Sequence, residues 1–252
     1  HALLMAMEVG LIGVFTASDY FLFYVMWEVT LIPMYFLINW YGGPRRHYAA
    51  IKFFIYTHVA SLVMLIGIFA MGWMSLDMTG VANFDFGNMV ALMPMTSTGF
   101  QAAVFALLFF GFMVKMPSVP FHTWLPDAHV EAPTAGSVIL AGVMLKMGSY
   151  GIIRICLECF PAGAEHWQWV IIAIGLISMV YGAYACIAQT DLKKMVAFSS
   201  ISHMGMVMLG IGCLSDIGIT FAIFQMFAHG LISAMLFMVC GFTGHALGTR
   251  EI

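Results

Sequence analysis

The chain has 252 residues, of which 62% are hydrophobic and only 8% charged, against about 25% charged in soluble domains. That composition excludes a soluble globular protein and implies a polytopic membrane protein. The net charge of −3 says nothing about partners, because in a membrane the informative quantity is which loops hold the lysines and arginines.

Apolar segments lie at about 1–17, 20–40, 47–74, 101–127, 132–158, 167–189, 193–214 and 217–243. Most are long enough to cross roughly 30 Å of hydrocarbon at about 1.5 Å per residue. They predict an all-α, polytopic transmembrane helix bundle, with eight crossings if the first segment is complete. Apolar sequence directly behind His1, with no recognisable cleavable signal, predicts that the range begins inside a longer protein. The long linker 75–100, with Asp77, Gly80, Asn83, Asp85, Gly87, Asn88 and Pro94, reads as a polar loop with a short surface helix. The segment 101–127 carries Lys115, followed at once by Pro117 and Pro120. A lysine in hydrocarbon costs roughly 3 kcal/mol on insertion scales and survives where it faces protein or water. Backbone freed by proline is tolerated at that depth only where it lines protein or a cavity. A discontinuous helix is therefore expected at about 115–120, as a site that binds or relays an ion; the alternative is a packing kink.

Loop charges give the orientation. Arg45 and Arg46, Lys193 and Lys194, and Arg250 fall in loops on one side if the broken segment spans. The opposite loops, near Ser18–Asp19, Asp77–Thr98, Pro161–Glu165 and Ser215–Asp216, hold no lysine or arginine. The basic side is cytoplasmic by the positive-inside rule. Arg154 is the dissenter, and snorkelling to the interface would account for it.

With helices placed, Glu28, Lys115, Lys146, His203 and His229 fall near one midplane. Chance placement would scatter them along the helices, and polar groups in hydrocarbon pair or line water paths. Carboxylate, amine and imidazole can each exchange a proton, whereas an arginine cannot release one. Other ionisable residues read as structural. His58 lies beside Thr57 and off the common level, Lys52 can snorkel from near the start of its helix, and Glu8, His47 and His245 sit near predicted ends. The Cys156–Cys159 pair has no second pair at metal-ligand spacing and reads as packing. The 25 glycines and 23 methionines read as close-packing surfaces and adaptable filling rather than metal sites. No phosphate loop, nucleotide-binding glycine fingerprint, HExxH or basic nucleic-acid patch is present in the sequence. His203 and His229 could in principle ligate a haem, but the nearby lysines favour a hydrated path.

The run Trp27-Glu28-Val29-Thr30-Leu31-Ile32-Pro33-Met34-Tyr35-Phe36, the block from Tyr48 to Thr57 and the stretch from Val114 to His129 are highly patterned. So are Ala132-Pro133-Thr134, Leu145-Lys146-Met147-Gly148-Ser149-Tyr150-Gly151, Asp191-Leu192-Lys193-Lys194 and Ser199-Ser200-Ile201-Ser202-His203-Met204-Gly205. Together they resemble the chain M (chain 4) antiporter-like membrane subunit of respiratory complex I, NADH:quinone oxidoreductase, over nearly the whole range. Related subunits and Mrp-type sodium/proton antiporters share the broken helix. The M-type likeness rests on Trp27-Glu28 with Pro33-Met34-Tyr35, and on Lys146, where the L-type subunit typically carries histidine.

The resemblance implies a single transmembrane antiporter-like domain, 1–252, of two inverted five-helix repeats. The first would run to about 158 and a partial second from about 167 to 252, with the second broken helix and its ionisable residue lying beyond Ile252. It implies proton translocation in a redox-driven complex of an energy-transducing, prokaryotic cell membrane, among other membrane subunits, with protons, or alternatively sodium, as the ion. It also implies no cofactor in this chain: flavin, iron–sulfur clusters and quinone would belong to partner subunits. The alternatives are an Mrp-type antiporter subunit, a related ferredoxin- or F420H2-dependent complex, and a structural subunit whose charges only fix packing. Glu28 and Lys115 are expected as a switchable ion pair, Lys146 as the central proton carrier, and His203 and His229 as relays.

Overall fold

The computed structural model describes residues 1–251. Its elements are α1 (Ala2–Thr16), α2 (Tyr20–Tyr41), α3 (Arg46–Thr79), the short α4 (Phe86–Leu92), α5 (Thr98–Lys115), α6 (Trp124–Glu131), α7 (Thr134–Leu157), α8 (Pro161–Ile187), α9 (Leu192–Gly212) and α10 (Asp216–Leu247). No strand occurs among the described residues. Seven helices, α2, α3, α5 and α7 to α10, are long and apolar enough to cross a bilayer. With 15 residues, α1 reaches about 22 Å and packs against α2. The chain is a multi-pass membrane protein. α8 begins at Pro161, six residues before the expected 167, because proline is tolerated in a first helical turn.

Helix starts follow local chemistry. Asp19 accepts from the Phe21 and Leu22 amides, Asp85 from Asn88, Ser97 from Phe100, Asp191 from Lys194 and Ser215 from Gly218. Such side chains satisfy amides that have no intrahelical acceptor. α3 ends where Gly80 takes φ +78° and its N–H returns to Leu76 O at 2.8 Å, a left-handed cap that a side chain would strain.

The two ends of the bundle separate by charge. At one end Arg45 approaches Asp127 at 3.8 Å and Glu131 at 3.9 Å, Lys193 Nζ donates to Ala132 O at 2.8 Å, and Arg250 lies 3.7 Å from Asp191. At the other, Asp19 pairs with Asp85 through the backbone and Gln101 accepts from the Ala162 amide. α5 starts at that second end, while the Glu131 carbonyl at the end of α6 accepts from Gly43 in the basic loop. The broken segment therefore spans, and the basic loops share one side. Arg154 stays at the other end by a different means from snorkelling alone: it is ion-paired to Glu158 and lies 5.7 Å over the Phe86 ring.

The interruption is real and longer than expected. α5 stops at Lys115 and α6 begins at Trp124, because Pro117 and Pro120 cannot donate. The freed backbone finds other partners: Val119 N–H donates to Ser178 Oγ on α8 at 2.9 Å, and the Trp124 indole donates to Val114 O at 3.0 Å. Lys115 is thus the last residue of a half-helix rather than a mid-helix residue. α7 contains two π-helical segments, Leu140–Met144 and Ile152–Leu157, on either side of Lys146.

Candidate functional site

α2 buries Phe23, Trp27, Leu31 and Met34, and the residue after Trp27, Glu28, faces α3. There His58 Nδ1 donates to Glu28 Oε2 at 2.8 Å and the Ser61 hydroxyl donates to Oε1. Lys115 is 1% exposed, and its Nζ has no hydrogen-bond partner among the described residues. Its ammonium lies 5.2 Å from the Trp27 ring centroid and 5.9 Å from that of Phe53, where ring quadrupoles attract a cation. Glu28 and Lys115, expected as a switchable ion pair, are not paired here. A carboxylate with both oxygens already accepting gains less from turning to a third donor.

His58, read as structural, is the partner of Glu28. Lys52 does not snorkel to the interface but binds Asp127 at 2.7 Å, tying α3 to α6.

On α7, Lys146 is 6% exposed. Its Nζ donates to Ala141 O, a carbonyl within the first π-helical segment, and lies 2.8 Å from His229 Nδ1 on α10. With Lys146 as ammonium, that nitrogen accepts and the imidazole proton is on Nε2. His229 and His203 have ring centroids 5.3 Å apart, and the Gln225 amide donates to His203 Nδ1 at 3.0 Å. Gly230 and Gly142 bring α10 and α7 together: a Cβ on Gly230 would meet Gly142 O at 3.0 Å. Beside this contact runs a groove of about 540 Å³, which Lys146 lines with Gly142, Val143, Phe227 and Gly230.

The five expected residues thus form a hydrogen-bonded Lys146–His229 pair with the His203 ring beside it, His229 Nε2 having no hydrogen-bond partner among the described residues, and a separate Glu28 site, with Lys115 on the half-helix between the two. Gly148 and Gly151 of α7 pack on Phe112 of α5, and Lys115 rests on Trp27 of α2, so α5 is wedged between both groups. Neither Glu28 nor Lys146 is hydrogen-bonded to Lys115.

Two histidines on the far side of the break had no place in the residue-by-residue reading. His122 is buried against Tyr181, with centroids 4.9 Å apart. His129 is fully buried, stacks on Phe237 at 4.2 Å, and has both ring nitrogens unpartnered among the described residues. Their signal was position: both lie in the proline-rich stretch from Val114 to His129. Amines, imidazoles and a carboxylate can each exchange a proton, and few of these groups offer the oxygen ligands that a hard metal cation requires.

The family described as NADH:quinone oxidoreductase/Mrp antiporter, TM, matches residues 17–252. F(420)H(2) dehydrogenase subunit M of Methanosarcina mazei is 45% identical over 255 residues, covering 100% of this chain and 51% of that protein. NADH-quinone oxidoreductase subunit M of Escherichia coli K12 is 44% identical over 257 residues, covering 100% and 50%. Among solved structures, a chain of respiratory complex I from Thermus thermophilus with bound NADH superposes with TM-score 0.92 at 29% identity, over 99% of this chain and 52% of that one. A chain of the Mrp complex from Dietzia gives TM-score 0.87 at 25% identity, over 99% and 46%. The chain spans about half the length of these relatives.

Proposed function

The chain belongs to the NADH:quinone oxidoreductase/Mrp antiporter family, and from that premise we propose that it serves as an M-type, proton-translocating membrane subunit of a redox-driven complex. The observation that carries this reading is the buried Lys146–His229 contact at 2.8 Å, with His203 beside it. An ammonium against an imidazole nitrogen can hand its proton across without crossing hydrocarbon.

Lys146 is the carrier, His229 its immediate acceptor and His203 the next relay. Glu28 and Lys115 set the electrostatic bias. Two opposite charges at about 4 Å are worth roughly 4 kcal/mol at an effective dielectric of 20, close to a thousand-fold in proton affinity. Moving a charge against 100 mV costs about 2.3 kcal/mol. Closing or opening one pair is therefore large enough to move a proton against a membrane potential. The half-helix end at Lys115 adds an oriented dipole to the same region.

Helices α1 to α7, about 1–158, form the first inverted repeat, and residues from about 167 to 252 begin the second. Electron carriers belong to partner subunits, which receive electrons from NADH, F420H2 or a related donor and pass them to a quinone-type acceptor in a prokaryotic cell membrane. An Mrp-type antiporter is the second reading, favoured by the Dietzia likeness; co-purification of flavin and iron–sulfur subunits, or of small antiporter subunits, separates the two.

The test is proton uptake into vesicles containing the whole complex, driven by its electron donor. Lys146→Ala removes the exchangeable proton, and Lys146→Arg keeps the charge but cannot release it. Both are expected to assemble and to pump at least ten-fold less, within the range for loss of a positioned proton-transfer group. Normal pumping by an assembled Lys146→Arg complex refutes the carrier role.

A further inference from the structure

We propose that His58 and Ser61 form a two-donor clamp that holds the Glu28 carboxylate off Lys115, giving the Glu28–Lys115 switch its open state; the proposal rests on the proton-translocating function above. His58 and Ser61 are three residues apart on α3 and so share a face. Each supplies one donor to one carboxylate oxygen: His58 Nδ1–H to Oε2 at 2.8 Å, the Ser61 hydroxyl to Oε1. The imidazole plane is set by stacking on Phe54, one turn earlier, with centroids 5.2 Å apart and an interplanar angle of 17°. The ring is oriented before Glu28 arrives.

A switch needs both partners to have somewhere to rest when apart, and the structure provides it on each side. The ammonium of Lys115 lies over the rings of Trp27 and Phe53. The Ser61 hydroxyl has a second acceptor within reach, the His58 carbonyl at 2.8 Å, so the clamp can let go of Glu28 without leaving that donor unpaired. Trp27 links the two halves, since it is adjacent to Glu28 in α2 and is itself the platform for Lys115. Glu28 therefore exchanges two donors on α3 for one cation at the end of α5. His58 acts through Glu28 and is a positioning residue: what the clamp requires of it is an N–H at that place, not a transferable proton.

The test compares three substitutions in the whole complex, reconstituted in vesicles and assayed for donor-driven proton uptake. His58→Phe keeps the stack on Phe54 and removes the donor. His58→Gln keeps an amide N–H that can reach the carboxylate. Ser61→Ala removes the other donor with the smallest change in shape, and keeps the test open if a position-58 variant fails to assemble. Loss of a charge-assisted hydrogen bond shifts occupancy by on the order of ten-fold. Pumping is therefore expected to fall about that much in His58→Phe, to fall less in Ser61→Ala, and to stay within about two-fold of wild type in His58→Gln. The infrared carboxylate band that Glu28→Gln removes should shift in His58→Phe and Ser61→Ala and hold in His58→Gln. Full pumping by His58→Phe, a loss in His58→Gln equal to that in His58→Phe, or an unmoved Glu28 band in the donor-less variants overturns the clamp. The infrared band reads the clamp even if Lys146→Arg pumps normally, so failure of the clamp and failure of the carrier role are told apart.

Discussion

Lys146 and Lys115 show how two buried amines on neighbouring helices are treated differently. Lys146 has two acceptors, a carbonyl of its own helix and His229; Lys115 has aromatic faces and no hydrogen-bond partner among the described residues. An ammonium with good acceptors can be a stable station for a proton. One held by ring quadrupoles alone, worth about 0.5–2 kcal/mol, is free to respond to a carboxylate. His229 is the residue on which the first transfer turns. His229→Phe preserves the volume of the ring and removes the acceptor 2.8 Å from Lys146 Nζ. Proton uptake by the assembled complex is expected to drop by about ten-fold or more. Uptake equal to wild type would show that Lys146 discharges by another route.

At the scale of elements, the site depends on close helix approach and on a break whose backbone is satisfied from outside. Gly230 and Gly142 face each other across α10 and α7, but not symmetrically. A Cβ on Gly230 would meet backbone oxygen at 3.0 Å, whereas one on Gly142 would meet the Ala234 methyl at 3.6 Å and Gly230 O at 3.7 Å, both ordinary van der Waals contacts. Gly230→Leu is expected to push the helices apart, costing about 1–3 kcal/mol and abolishing uptake. Gly142→Ala should leave both melting temperature and uptake close to wild type; equal damage from the two would argue against the packing account. At the break, the Val119 amide depends on Ser178 Oγ. Ser178→Ala leaves a half-buried N–H without its acceptor, at about 1 kcal/mol. A lower melting temperature of the complex and faster hydrogen exchange at 116–123 are the expected outcomes, measured in nanodiscs.

Across the whole molecule, the sorting of charge predicts the orientation, with the basic end cytoplasmic. Arg45, Arg46, Lys193, Lys194 and Arg250 gather at one end, where Asp127, Glu131 and Asp191 meet them. A membrane-impermeant maleimide applied from outside is expected to label the exposed native Cys213, which follows α9 at the other end. A cysteine placed by Lys194→Cys should react only when the cytoplasmic face is opened. Labelling of the Lys194→Cys variant from outside would invert the topology.

The sequence by itself determined the medium, the all-helical architecture, the sidedness and the break after Lys115. Each of these follows from local chemistry: apolar runs as long as a bilayer is thick, arginines and lysines confined to alternate loops, and prolines that cannot donate. It also put forward Glu28, Lys115, Lys146, His203 and His229 as candidates, because ionisable groups at mid-membrane depth are conspicuous, but passed over His122 and His129 beyond the break. Only the tertiary structure decided which of them touch. Glu28 is held by His58 and Ser61 rather than by Lys115, Lys52 binds Asp127, and Lys146 reaches His229 from an α-helical stretch between two π-helical segments that no residue pattern announced. The reason is geometric. Depth along a helix is set by counting residues, but partnership depends on the rotation of each helix about its axis and on how closely glycine lets its neighbours approach, and both are fixed only when the helices pack.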